Sequence, residues 1–227
     1  MARTLDPAAH AVKREAFLDA AQGLIERKGY EAMSVQDVLE DVSTSKGAFY
    51  HYFESKADLL DGVVERMVDA ALLTAQPIVD DPDLVATDKF RAVFAAIAAY
   101  KTERKDLVLG LLQTWLSDHN AVVREKYRRV VVQRLTPVMA AIIREGQAEG
   151  TFDVGSADHA AVVFVSFILS LQQSTTELFL ARHAGEISLA DVRRALDAQV
   201  EAMERILGAH RGSITLVDEA LLHEWFD

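Results

Sequence analysis

Lys46, Gly47, Tyr50 and His51 stand close together in the chain, and their types suit contact with an anion. A cation, a position without a side chain, a phenol and an imidazole can meet phosphate oxygens and base edges. The bare backbone at Gly47 leaves room for close approach. Immediately before them, Ser43-Thr44-Ser45 is a run of small polar residues that favour turns and helix caps. Immediately after, Ser55 is a good N-cap for a helix whose first turn carries Lys56. Free N–H groups there, with an ammonium beside them, would make a phosphate clamp.

The elements that must hold these residues are short helices. Ser34 is an N-cap, and Asp37 three residues on gives an acidic variant of the capping box. Val35, Val38, Leu39 and Val42 then fall at i, i+3, i+4 and i+7, one apolar face. Phe49 and Phe53 lie one turn apart on a second helix, expected from Ser45 to Phe53, and would anchor it to a core. Two short helices, a tight turn and a third helix at once after them make the layout of a helix-turn-helix DNA reader.

This segment resembles the tetracycline-repressor (TetR/AcrR) family of bacterial regulators. The residues that carry the resemblance are Ser45-Lys46-Gly47, Tyr50-His51-Tyr52-Phe53, Ser55-Lys56 and Leu59-Leu60, preceded by Gly29-Tyr30-Glu31 and Val35-Gln36-Asp37-Val38. They span residues 14–60. Two positions depart from the family pattern: Ser43 stands where a turn glycine is usual, and Leu39 replaces a usual alanine. If the turn requires positive φ, Ser43 must bear that strain. The resemblance implies an all-α fold, with an N-terminal three-helix helix-turn-helix domain and a larger C-terminal helical domain for ligand binding and dimerisation. The DNA-contacting set expected is Ser43, Thr44, Ser45, Lys46, Gly47, Tyr50, His51 and Lys56. The implied partners are a double-stranded DNA operator, a second copy of the chain bound through the last two long helices, and a small-molecule effector.

Composition limits the alternatives. The 227 residues are half hydrophobic, with only four prolines and eleven glycines, which suits a mostly helical chain with a sizeable core. The absence of cysteine excludes disulfides, thiolate metal sites and cysteine nucleophiles. No signal peptide is read, and the most apolar stretch, 160–171, is shorter than the ~20 residues a membrane span needs. A soluble cytoplasmic protein without membrane contact is expected. The net charge of −11 argues against a generic nucleic-acid coat. Residues 1–57 carry seven Lys/Arg against nine Asp/Glu, so the acids of the reader must face away from any duplex while Arg3, Lys13, Arg14, Lys46 and Lys56 face it.

Beyond the reader, helix follows helix. A first helix is expected from about Ala11 to Arg27, ended by Gly29 in the left-handed conformation, and a fourth from Lys56 to about Ala75, broken at Gln76-Pro77. Later helices are expected at 87–100, 105–118, 121–149, 157–181 and 189–207, with a kink at Pro137. The domains are read as 1–60, 61–211 and a tail, 212–227. The helix from Ala157 is apolar nearly all round and so must be buried on all sides. Candidate ligand-lining residues are Phe90, Phe94, Trp115, Tyr127, Phe164, Phe167, Gln172 and Gln173, mostly apolar with two amides that interrupt an apolar helix.

No catalytic, cofactor or metal site is read. Phosphate-loop, dinucleotide, zinc-protease and nucleophile-elbow motifs are missing from the sequence. The seven histidines show no i, i+3 or i, i+4 pairing. Asp118-His119 and Asp158-His159 are sequence neighbours that point apart on a helix, where capping is their expected role. Two other readings stay open: a helical small-molecule-binding protein whose reader is weak or silent, and a helical enzyme.

Overall fold

In the computed structural model, which describes residues 7–116, 121–216 and 219–227, every regular element is an α-helix. In chain order these are α1 Pro7–Ala32, α2 Val35–Asp41, α3 Lys46–Phe49, α4 Lys56–Val79, α5 Ala86–Thr102, α6 Lys105–Leu116, α7 Ala121–Glu149, α8 Ala157–His183, α9 Leu189–Leu207 and α10 Glu219–Phe226. They sort into two compact units. One comprises Met1–Asp69 with Lys101–Tyr127, the other Ala70–Tyr100 with Arg128–Asp227.

This partition differs from the contiguous boundary read at residue 60. α6 groups with the N-terminal helices because Leu107 and Leu111 join their core. Glycine makes the approach possible: a Cβ on Gly110 would lie 2.5 Å from the Ile25 carbonyl oxygen of α1. The core of this unit is built from Phe17, Leu18, Leu24 and Ile25 of α1, Val38 and Leu39 of α2, Phe49, Phe53, and Leu59, Leu60 and Val63 of α4. α4 lies close on α1 at Gly62, where a Cβ would come within 2.9 Å of Leu18. Arg66 of α4 then ties back to Asp19 at 2.6 Å and to Glu15 at 3.2 Å.

Two local expectations are corrected here. Gly29 has positive φ (77°) but an extended ψ (158°), a region open essentially only to glycine, and the chain turns helical again up to Ala32. Pro77 does not break α4, which runs to Val79. Lying two residues from the end, it removes a single bond to the Leu73 carbonyl. The last α4 carbonyl, on Val79, accepts from the buried Lys89 ammonium at 2.8 Å, and Lys89 pairs with Glu145 of α7 at 2.6 Å.

In the second unit, α8 stands out for the apolar surface it leaves exposed. It is 27 residues long, and by length and composition it could cross a membrane, which corrects the shorter estimate from 160–171. Only 11% of its most apolar window is buried. The expectation that it is enclosed on all sides is therefore not met within this chain: Val162, Val163 and Leu180 are 46%, 58% and 40% exposed. The segment after α9 docks on its own chain. Leu222 and Phe226 of α10 are buried with Val192 and Leu196 of α9 and packed by Phe179 of α8. Arg182 reaches Asp227 at 3.4 Å, and Arg193 pairs with Glu219.

The Gly110–Ile25 contact sets a checkable value. Gly110→Ala is expected to destabilise the N-terminal unit by about 1–3 kcal/mol through backbone overpacking, read as a lowered urea midpoint by circular dichroism. An unchanged midpoint would show that α6 does not lie against α1 in this way.

Candidate nucleic-acid interface

The site begins with the cap of α2. Ser34 Oγ accepts from the Asp37 amide at 3.2 Å, and the Ser34 amide donates to Asp37 Oδ2 at 2.7 Å, so the capping box read from the sequence is present. Lys28 of α1 closes on the same carboxylate at 2.7 Å, and Arg27 reaches Asp41 at 3.4 Å. The Lys28 ammonium, with the Ser34 hydroxyl and amide, holds the Asp37 carboxyl well below the usual carboxylate range.

The turn after α2 adopts the backbone that a glycine would supply. Ser43 has φ 50°, the single non-glycine residue with positive φ among the described residues. A Cβ in that region costs ~1–2 kcal/mol. The turn is closed by Ser43 N–H donating to the Glu40 carbonyl (3.1 Å) and Thr44 N–H to the Leu39 carbonyl (3.0 Å). The strain anticipated at this position is thus real.

α3 is shorter than the 45–53 helix expected. It spans four residues, with Ser45 Oγ accepting from the Ala48 amide at 3.3 Å. The chain then tightens: His51 and Tyr52 donate to the carbonyls three residues back, Ala48 and Phe49, at 3.2 and 2.9 Å. A helix of four residues cannot hold itself. Phe49 and Phe53 hold it, packed edge-on to Phe17 of α1 at 5.6 and 6.0 Å between ring centres. The opposite side is open: Ser43, Ser45, Lys46, Gly47, Tyr50 and His51 are exposed, and Thr44 is half-buried. Tyr50 keeps 50% of its surface free.

Gly47 is informative because the fold does not require it. A Cβ there would meet only Ser45 Oγ, at 4.0 Å, and its φ is not positive. Glycine inside a helix costs ~1 kcal/mol relative to alanine. Among the described residues nothing occupies the space that a Cβ there would take.

Electrostatics sorts the acidic reader as the charge count demanded. Asp37 and Asp41 are taken by Lys28 and Arg27, and Glu15 and Asp19 by Arg66. Lys13 and Lys46 have no carboxylate partner among the described residues. Their ammonium groups lie 5.8 Å from the Phe17 ring centre and 5.9 Å from that of Tyr50. Lys56 departs from the clamp expected of it. Its ammonium donates to the carbonyls of Met33 (2.8 Å) and Glu31 (3.3 Å) and sits 4.2 Å over the Tyr30 ring. Those carbonyls follow the Gly29 break and need a donor, so Lys56 secures the end of α1. Partial burial lowers its pKa, and burial beside Glu31 pushes the Tyr30 phenol up to about 12. The α4 N-terminus is capped as expected, with the Asp58 amide donating to Ser55 Oγ at 3.0 Å.

One neighbour of the face was missed in the sequence. His10 of α1 stacks on Tyr52 at 4.5 Å and meets His51 edge-on at 5.8 Å. Its position seven residues before Phe17, hence on the same helix face, was the available signal.

The ligand candidates do not gather into one group. Phe90, Phe94 and Phe164 pack together with ring centres 5.0–6.4 Å apart, Phe90 and Phe164 fully buried. Tyr127 belongs to the other unit, against its core, because that end of α7 groups with α6. Phe167 and Gln172 are half-buried, whereas Gln173 is exposed and donates to Glu177 at 3.2 Å, one turn along. The Trp115 side chain lies outside the described residues, as do Asp118 and His119. Asp158 turns to Arg144 at 2.8 Å and His159 to Ser156 at 2.9 Å, so they do not form a dyad.

Residues 17–63 match the family model described as bacterial regulatory proteins, tetR family. The chain is 26% identical over 159 residues to the HTH-type transcriptional repressor KstR2 of Rhodococcus jostii, covering 66% of this chain and 74% of that protein. It is 27% identical over 162 residues to the transcriptional regulator AcuR of Cereibacter sphaeroides, covering 66% and 68%. Among solved structures, RolR in complex with resorcinol has the same fold, with a TM-score of 0.64 at 14% identity over 96% of this chain and 95% of that one.

Two substitutions test the local account. Gly47→Ala is expected to raise reader stability by ~0.5–1 kcal/mol while weakening duplex binding, two effects of opposite sign in a melt and a binding titration. Asp37→Asn is expected to lower the melting temperature at neutral pH. Because the folded pKa of Asp37 is depressed, its contribution is present above about pH 4 and is lost as pH falls through the folded value. The gap between variant and parent therefore narrows only in acid.

Proposed function

We propose that the chain is a transcriptional regulator of the TetR family, as the match of residues 17–63 and its relatives support, and that it is a homodimeric repressor that reads a palindromic operator and is released by a small, mostly apolar ligand. It is a regulator and not an enzyme. The observation that carries the DNA assignment is the open face of α3. It combines a glycine with open space around it, a lysine without a carboxylate partner among the described residues and an exposed tyrosine on a segment fixed from behind by three phenylalanines. In this reading α3 enters the major groove, Lys46 and the Gly47 backbone approach bases or phosphates, and Tyr50 and His51 hold phosphates with Ser43, Thr44 and Ser45 alongside. Lys13 adds a cation from α1. Lys56 acts by positioning.

The exposed apolar face of α8 supports pairing with a second copy. A helix of this hydropathy with so little of its apolar window buried calls for a partner, and the polar run Gln172 to Glu177 suits a protein interface better than lipid. Two readers would then address half-sites one helical turn apart, ~35 Å. A ligand that prefers one shape of the body changes that spacing. Coupling of this kind is typically ~1–3 kcal/mol and requires unequal affinity for the two shapes. Phe90, Phe94 and Phe164, with Phe167 and Gln172, are the residues to mutate first in a search for the ligand. The silent-reader alternative is disfavoured by the way the reader's acids are taken up internally while Lys13 and Lys46 are left over.

Selection of bound duplexes from a random pool tests the reading, with an inverted repeat as the expected winner; a folded protein that enriches nothing would remove the operator assignment. Lys46→Ala and Tyr50→Phe are each expected to weaken operator binding several-fold with the melting temperature unchanged, and unaltered affinity in both would sink the docking face. Val163→Glu is expected to give monomers by sedimentation, and a variant that still sediments as a dimer would place the interface elsewhere.

A further inference from the structure

We propose that His10 of α1 is a further DNA contact, paired with His51, and that protonation of the pair strengthens the grip on a duplex. The proposal rests on the DNA-reading assignment above. The two imidazoles come from different elements and meet edge-on with centroids 5.8 Å apart. Tyr52 completes the cluster, its ring 4.5 Å from His10 and 5.3 Å from His51. His51 is exposed beside Tyr50, and His10 is half-buried behind it. Among the described residues neither imidazole makes a hydrogen bond or an ion pair. His159, His183 and His223, in contrast, each have a local polar partner: Ser156 Oγ, the Phe179 carbonyl and the Asp227 carboxylate.

Along the elements that carry the pair, the described charged residues within about a turn are three cations and two carboxylates, Arg14 and Glu15 lying 4.0 Å apart. α1 contributes Lys13 and Arg14, one turn on from His10, the latter stacked 5.3 Å from the Phe53 ring. α3 and the turn after it contribute Lys46 and the phenols of Tyr50 and Tyr52. The nearby carboxylates are Glu15, which is held by Arg66 at 3.2 Å, and Glu54. An anion arriving on this face thus meets two imidazole rings that have no hydrogen bond or ion pair among the described residues, on the same elements as Lys13 and Lys46. A phosphate favours the imidazolium over the neutral ring, so binding takes up protons.

The sign follows from linkage. A bound-state pKa above the free-state value makes affinity greatest at low pH, and affinity declines as pH rises through the bound-state value. Each imidazole can contribute at most about tenfold per pH unit. Histidines ordinarily titrate near pH 6.5, inside the physiological range. The reader would then respond to acidification without any ligand.

Phosphate contacts do not depend on sequence, so the probe can be a labelled mixed-sequence duplex of about 30 base pairs at low, fixed ionic strength. Parent protein is expected to bind it about tenfold more tightly near pH 6 than near pH 7.5. The double variant His10→Gln/His51→Gln, checked for folding by its melt, is expected to lose most of that dependence. His10→Lys is expected to keep strong binding at the higher pH, which separates charge from ring packing. Equal affinity of the parent at both pH values, or a dependence that persists in the double variant, overturns the proposal while leaving the DNA reader intact. Absence of binding at both pH values removes the DNA-reading assignment itself.

Discussion

Three phenylalanines carry the reader. α3 is four residues long, far below the length at which a helix is stable alone, and its orientation is set by Phe49 and Phe53 against Phe17. Everything attributed to the open face depends on that anchor, because Lys46, Gly47, Tyr50 and His51 project from the same few residues. The turn before α3 is the weak point of the arrangement, since Ser43 sustains a left-handed backbone. The aromatic contact is of comparable size: edge-on aromatic pairs are worth roughly 0.5–1.5 kcal/mol each beyond their burial. The strain at one end is offset at the other.

Charge is partitioned with the same economy of parts. The reader is net acidic, which on composition alone speaks against a polyanion partner. Pair by pair the picture changes. Arg27, Lys28 and Arg66 neutralise acids on α1 and α2, and they do structural work between helices. Lys13 and Lys46 do not. A count of charges cannot distinguish these uses; a list of who holds whom can. The same distinction finds Lys56 engaged at the end of α1, where the Gly29 break leaves carbonyls without helical partners.

Much of this was legible in the sequence, and the failures are specific. The capping box at Ser34 and Asp37 and the anchor pair Phe49/Phe53 follow from spacing, and the helices 121–149 and 189–207 have the limits that periodicity gives. The length of α3 was not legible, because 3₁₀ tightening after Phe49 leaves the apolar spacing unchanged. The grouping of α6 with the reader was hidden for a different reason: its key residue is Gly110, and a missing side chain has no hydropathy to read. His10 was overlooked as an isolated histidine, since its partner His51 is distant in sequence. The face of α8 was recognised as apolar, but its exposure within one chain is a property of three dimensions alone.

Gly47 has a consequence for heredity. The fold leaves open space around it, so a bulkier residue there yields a protein that folds, accumulates and, in the proposed dimer, still pairs. Mixed with normal subunits, such a chain would sequester them in assemblies with one blocked reader. Lesions at Gly47 should therefore behave as dominant alleles. Lesions at Phe49 collapse the reader around a lost core residue and expose the chain to degradation, so they should behave as recessive ones. Two residues only two positions apart in α3 would thus be told apart by genetics alone.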